Sequence, residues 1–121
     1  ADLRGQVVLV DFWATTCTIC LNEMPEIARL HRELAPRGLA TIAVAMPYDR
    51  PDFVMDYARR ARLPFPVALD PDSAVVRALG PVRGTPTLRG IDRSGAPADR
   101  LEGATGAGAL RALLERRLAS A

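Results

Sequence analysis

Val7-Val8-Leu9-Val10-Asp11-Phe12-Trp13-Ala14-Thr15-Thr16-Cys17-Thr18-Ile19-Cys20 is the stretch on which the reading of this chain turns. Its first seven residues are rich in β-branched and aromatic side chains, the pattern of a buried strand. A helical pattern starts directly behind Cys17. Met24, Ile27, Leu30 or His31, and Leu34 recur at helical spacing and predict a helix from about Thr18 to Leu34 with one apolar stripe. Cys17 and Cys20 are the only cysteines present. Three apart at the start of a helix, they face each other across one turn and can close a disulfide with little backbone movement. Dithiol–disulfide chemistry is therefore the first expectation. An inert structural disulfide or half of a zinc site are the rival readings. Zinc wants about four ligands, and the chain adds only a single histidine, His31.

Outward from that stretch, Ala40 to Met46 reads as a second buried strand and Pro51 to Ala61 as a second helix, opened by proline in its first turn. Pro25 falls inside the first helix and is expected to kink it, and Gly38 is placed to end it. Leu63-Pro64-Phe65-Pro66 leads into a short extended Val67 to Leu69. Asp70-Pro71-Asp72 is expected to start a short helix that runs through Leu79. Thr87 to Asp92 follows as a strand, Arg93-Ser94-Gly95 as a hairpin turn, and a last strand is placed near Arg100 to Glu102. The final helix, Ala107 to Leu118, carries Leu110, Leu113, Leu114 and Leu118 on one side. The order β-α-β-α-(β)-α-β-β-α predicts an α/β fold in which helices cover both faces of a central mixed sheet.

The 121 residues suffice for a single domain, 1–121, with a real core. Apolar residues make up 49% and charged residues 25%, the balance of a soluble globular chain. A net charge of +2 gives no case for nucleic acid. The basic residues are all arginine and are scattered as solvated faces are. No stretch is long and apolar enough to span a membrane, and no signal-peptide pattern is present. Export signal or anchor is expected in a segment outside these residues.

The element order, with Trp13-x-x-x-Cys17-x-x-Cys20 behind the first strand, resembles the thioredoxin superfamily. More narrowly it is similar to the exported TlpA/ResA branch. The matching strings are Leu9-Val10-Asp11-Phe12-Trp13-Ala14-Thr15, Cys17-x-x-Cys20-x-x-Glu23-Met24-Pro25, Pro64-Phe65-Pro66-Val67 with Asp70-Pro71-Asp72, and Val82-Arg83-Gly84-Thr85-Pro86-Thr87. The chain departs from that branch at Thr16, where tryptophan is usual. It departs again at Leu88-Arg89-Gly90-Ile91, where an aromatic-aliphatic strand is usual. Only six residues precede the first strand, where members often carry an extra hairpin.

The residues and the resemblance together name a site. Cys17, at the strand–helix junction, sits where unpaired helix N–H groups favour thiolate and is the expected nucleophile. Cys20, one turn in, is the expected resolving thiol. Asp11 interrupts an apolar strand, and a carboxylate buried there should hold its proton more tightly and serve as a base for Cys20; an exposed strand-end aspartate is the alternative. The resemblance implies that Glu23 tunes the cysteines, although glutamate in a second helical turn needs no such role. It also implies a cis Thr85–Pro86 bond against the cysteine pair, with the Thr85 backbone and Trp13 helping to hold substrate. Trp13 as plain core is the other reading. His31 is expected at a helix boundary, away from the chemistry.

The expected function is a thiol–disulfide oxidoreductase that reduces disulfides of exported proteins in a periplasmic or other extracytoplasmic setting. It needs no organic cofactor and no metal, only protein thiols or disulfides as substrate and an upstream thiol reductant. A monomer is expected. Disulfide oxidase or isomerase activity, and a non-catalytic client- or Cu(I)-binding module, are the alternatives.

Overall fold

A computed structural model describes residues 3–120; residues 1, 2 and 121 of the expected domain lie outside it. Five strands form one sheet: β1 (Val7–Trp13), β2 (Leu39–Ala45), β3 (Val67–Ala68), β4 (Thr87–Ile91) and β5 (Pro97–Glu102). Four helices join them: α1 (Thr18–Leu34), α2 (Pro51–Ala61), α3 (Ala74–Leu79) and α4 (Ala107–Ala119). The strand order is β3-β2-β1-β4-β5. β1, β2 and β3 run parallel, while β4 and β5 run antiparallel to their neighbours.

β1 is the central strand and every one of its residues is buried. Its odd-numbered side chains Val7, Leu9 and Trp13 join one core with Met24, Ile27, Leu30 and Leu34 of α1, Val54 of α2 and Leu110, Leu113, Leu114 and Leu118 of α4. Its even-numbered Val8, Val10 and Phe12 join a second core with Val75, Val76 and Leu79 of α3. Period-two alternation in β1 and the helical stripes of α1 and α4 thus meet face to face. Helices cover both faces of the sheet, three on one side and one on the other.

α1 runs through Pro25 to Leu34 without a break. A 3-10 turn over 35–37 follows it, and Gly38 ends that turn at φ 107°, in the left-handed region where glycine is unstrained. α3 begins at Ala74, two residues after the expected start. Asp70 is the reason: its carbonyl takes the Ser73 N–H at 3.0 Å and its carboxylate takes the Val75 and Val76 N–H groups at 3.0 and 3.1 Å. The aspartate therefore caps the helix from outside it. β5 begins at Pro97, three residues before the expected strand. Proline is tolerated as the first residue of an edge strand because its missing N–H faces no neighbour.

Gly90, one of the departures from the family pattern, stands opposite Asp99 in the β4–β5 ladder. A Cβ there would lie 2.9 Å from Asp99 Oδ2. Asp99 in turn holds Arg117 of α4 through two bonds of 2.7 and 3.0 Å. Glycine at this position leaves room for Asp99 and its bonds to Arg117.

Candidate active site

Cys17 is the N-cap of α1, in an extended conformation at φ −96° and ψ 102°. Its Sγ accepts the Cys20 N–H at 3.1 Å, in the place that a serine or aspartate oxygen takes at other helix starts. A disulfide joins Cys17 to Cys20, with Cα atoms 5.2 Å apart. The two ends are unequal. Cys17 is half-buried, while Cys20 is 1% exposed and belongs to the core. An incoming molecule reaches one sulfur and not the other.

Asp11 lies on the β1 face that α1 covers and is 1% exposed. Among the described residues its Oδ1 has no hydrogen-bond partner. Burial away from water, with the negative charge of Glu23 adding to it, pushes its carboxyl up to about 7. Burial and then the Asp11 charge raise the Tyr57 hydroxyl as well.

Glu23 stands one turn beyond Cys20. Its Oε2 accepts the Thr105 N–H at 2.8 Å, across 82 residues of sequence. Its Oε1 is buried and, among the described residues, unpartnered, as are Thr105 Oγ1 and Trp13 Nε1. Glu23 and Thr105 also line a cleft of about 240 Å³ between the first half of α1 and the start of α4. Glu23 thus acts on Asp11 through its charge while it lines that cleft with Thr105.

Trp13 is fully buried, its ring centroid 5.3 Å from that of Tyr57. It offers no surface to a substrate, so the expected contact role is corrected to packing behind the site. The Thr85–Pro86 bond is cis. Antiparallel pairing sets Phe12 opposite Thr87, which places Pro86 at the sheet end where β1 runs into the cysteine turn. Pro86 is buried and its carbonyl takes the Gly103 N–H at 2.9 Å. Thr85 is only half-buried. His31 is a boundary residue as expected: its Nδ1 shares a 2.9 Å hydrogen bond with Thr41 Oγ1, and its ring meets Phe65 edge-on.

Three neighbours of the site carried no signal in the sequence. Tyr57 reads as one more side chain of an amphipathic helix. Thr105 sits in a small-residue loop and contributes a backbone N–H, which any residue but proline supplies. Asp49 lies in Pro47-Tyr48-Asp49-Arg50-Pro51, a composition that announces only a turn, yet it binds Thr15, two residues before Cys17.

The sequence profile of the AhpC/TSA family matches residues 1–97. The chain belongs to the AhpC/TSA family. This AhpC/TSA domain of the thioredoxin superfamily is 31% identical over 103 residues to the thiol-disulfide oxidoreductase ResA of Bacillus thuringiensis subsp. konkukian, covering 84% of this chain and 58% of that protein. It is 34% identical over 95 residues to the ResA of Halalkalibacterium halodurans, covering 78% and 52%. The chain therefore spans little more than half the length of these curated relatives. Among solved structures, a candidate thioredoxin from Neisseria meningitidis superposes with a TM-score of 0.89 at 32% identity, covering 96% of this chain and 77% of that one. A crystal structure from Chlorobium tepidum described as a candidate thiol:disulfide interchange protein DsbE gives 0.81 at 28% identity, covering 97% and 80%.

Proposed function

We propose that this AhpC/TSA domain is a thiol–disulfide oxidoreductase that reduces disulfides in polypeptides. The observation that supports this reading most is the unequal disulfide: a reachable Cys17 at a helix start, closed onto a Cys20 that solvent does not reach. In the reduced protein the Cys17 thiolate attacks a substrate disulfide. A bond forms between Cys17 and one substrate sulfur, the substrate S–S bond breaks, and the other substrate sulfur leaves as thiolate. Cys20 then gives its proton to the Asp11 carboxylate and attacks Cys17 Sγ. The mixed disulfide breaks, the second substrate thiolate leaves, and the Cys17–Cys20 bond forms. The substrate gains two electrons and the cysteine pair loses them.

Asp11 suits the proton step because its carboxyl, pushed up to about 7, exchanges protons near neutral pH. Glu23 is the second acid–base group and connects Asp11 to the cleft at Thr105. Thr85, half-buried at the sheet end beside the cysteine turn, is the proposed backbone contact for the substrate chain, with Pro86 shaping it. Two sulfurs and transferable protons complete the exchange, so neither a metal nor an organic cofactor enters. An upstream dithiol returns the pair to the reduced form.

The setting is extracytoplasmic, by similarity to ResA. Among the described residues no helix is long and apolar enough to cross a membrane. The test is reduction of insulin disulfides by dithiothreitol with wild type, Cys17→Ser and Cys20→Ser. Turnover in wild type, none in either variant, and a mixed disulfide held by Cys20→Ser alone are expected. Trapping by Cys17→Ser instead would reverse the two roles. A reduction potential above that of the glutathione pool would reverse the direction of the reaction.

A further inference from the structure

We propose that Asp49 is a positioning residue for the nucleophile: from the β2–α2 loop it grips the turn before α1 and keeps Cys17 within closing reach of Cys20. This rests on the oxidoreductase reading above. Asp49 is 34 residues from Thr15 in sequence, and its carboxylate takes both Thr15 donors. The backbone N–H reaches Oδ2 at 2.6 Å and the hydroxyl reaches Oδ1 at 2.7 Å. Thr15 lies inside the turn that the Cys17 N–H closes onto the Ala14 carbonyl at 3.1 Å. One carboxylate thus fixes the turn that delivers the reactive sulfur.

The gripping side is itself fixed. The Asp49 N–H donates to the Met46 carbonyl at 3.0 Å, and the Met46 N–H donates to the Trp13 carbonyl at 2.9 Å. Asp49 Oδ1 also accepts the Arg50 N–H at 2.9 Å. The Arg50 guanidinium is turned away, onto Asp52. The Asp49 carboxylate is therefore directed at the turn, with one oxygen on each Thr15 donor.

The two cysteines differ in what holds them. Cys20 is anchored in the core by α1. Cys17 stands outside the helix on a half-exposed turn. Once the disulfide opens, the covalent tie is gone, and the turn, together with the helix-start bond from the Leu21 N–H to the Cys17 carbonyl at 3.1 Å, sets how often Cys17 meets Cys20. Ring closure depends on that local concentration, as any intramolecular reaction does. A loss of about 1.4 kcal/mol in how firmly the turn is held, within what two hydrogen bonds supply, changes it about tenfold.

The test is equilibration with a glutathione buffer, in which protein disulfide plus two glutathione thiols gives protein dithiol plus glutathione disulfide. The populations are read by alkylation and mass spectrometry. Asp49→Ala should shift the equilibrium about tenfold toward dithiol, which is about 30 mV for this two-electron couple. Asp49→Asn should restore most of the wild-type position. Its carbonyl accepts the Thr15 N–H and its amide donates to Thr15 Oγ1, so both Thr15 contacts survive without the charge, and only the Arg50 N–H loses its acceptor. Thr15→Val keeps one of the two bonds and should fall between. A purely structural Asp49 would lower urea stability and leave the glutathione equilibrium within twofold of wild type, overturning the proposal. A shift in Asp49→Asn as large as in Asp49→Ala would place the effect in charge and overturn it too. If Asp49→Ala does not fold, an unshifted Thr15→Val overturns it equally. The equilibrium is readable in a protein that never reduces insulin, so this result stands apart from the test of activity.

Discussion

Replacing Asp11 by asparagine should stabilise the oxidised protein, and by an amount that grows with pH. The carboxyl moves from an ordinary 3.8 to about 7 on folding, chiefly because burial removes it from water and secondarily because Glu23 is charged nearby. Below about pH 4 both the folded and the unfolded chain hold the Asp11 proton, and its full contribution to stability is present. As pH rises from there, the unfolded chain releases the proton while the folded chain keeps it, so stability falls until about pH 7 and is then flat. The whole loss is on the order of 4 kcal/mol, and the part lost between about pH 5 and about pH 8 is about 3 kcal/mol. The asparagine side chain does not titrate, so any fixed offset from the amide cancels in the difference between the two pH values. The His31 ring, lowered by burial and then by Arg32, titrates in both proteins and cancels as well. With the disulfide closed, the cysteines do not titrate. Urea unfolding of both oxidised proteins at the two pH values measures this, and the extra shift in midpoint should be on the order of 1–3 M. Parallel pH dependence in the two proteins would refute the burial argument and return Asp11 to an ordinary aspartate.

Other outcomes follow from the same geometry. Glu23→Gln removes the second cause of the Asp11 shift, so the pH-dependent gap between wild type and Asp11→Asn should shrink when both are measured in that background. In the reduced protein, iodoacetamide should alkylate Cys17 at least about tenfold faster than Cys20, because only Cys17 is reachable; equal rates, followed by peptide mapping, would contradict the unequal pair. Gly90→Ala should cost about 1–3 kcal/mol by chemical denaturation, since the new methyl forces Asp99 away from Arg117. Its insulin reduction per folded molecule should be unchanged.

Local pattern in the chain was enough for the order of strands and helices, the burial of the Val7–Trp13 strand and the pairing of Cys17 with Cys20. Strand and helix announce themselves by periods of two and 3.6, and a cysteine pair one turn apart needs no distant partner. Burial was the favoured reading of Asp11 for the same reason, an acid within an apolar run, and the packing of α1 over β1 decided it against a strand-end position in water. Asp70 as a cap that delays α3 was already beyond local reading, since the side chain competes with the backbone it precedes. Everything that couples the site to the rest of the molecule came from tertiary packing. The grip of Asp49 on Thr15, the bond from Thr105 to Glu23 and the covering of Trp13 by Tyr57 join residues 34 to 82 positions apart. Such contacts depend on where loops from different strands arrive at one end of a sheet. No periodicity encodes that arrival; the docking of α1, α2 and α4 on a common face decides it.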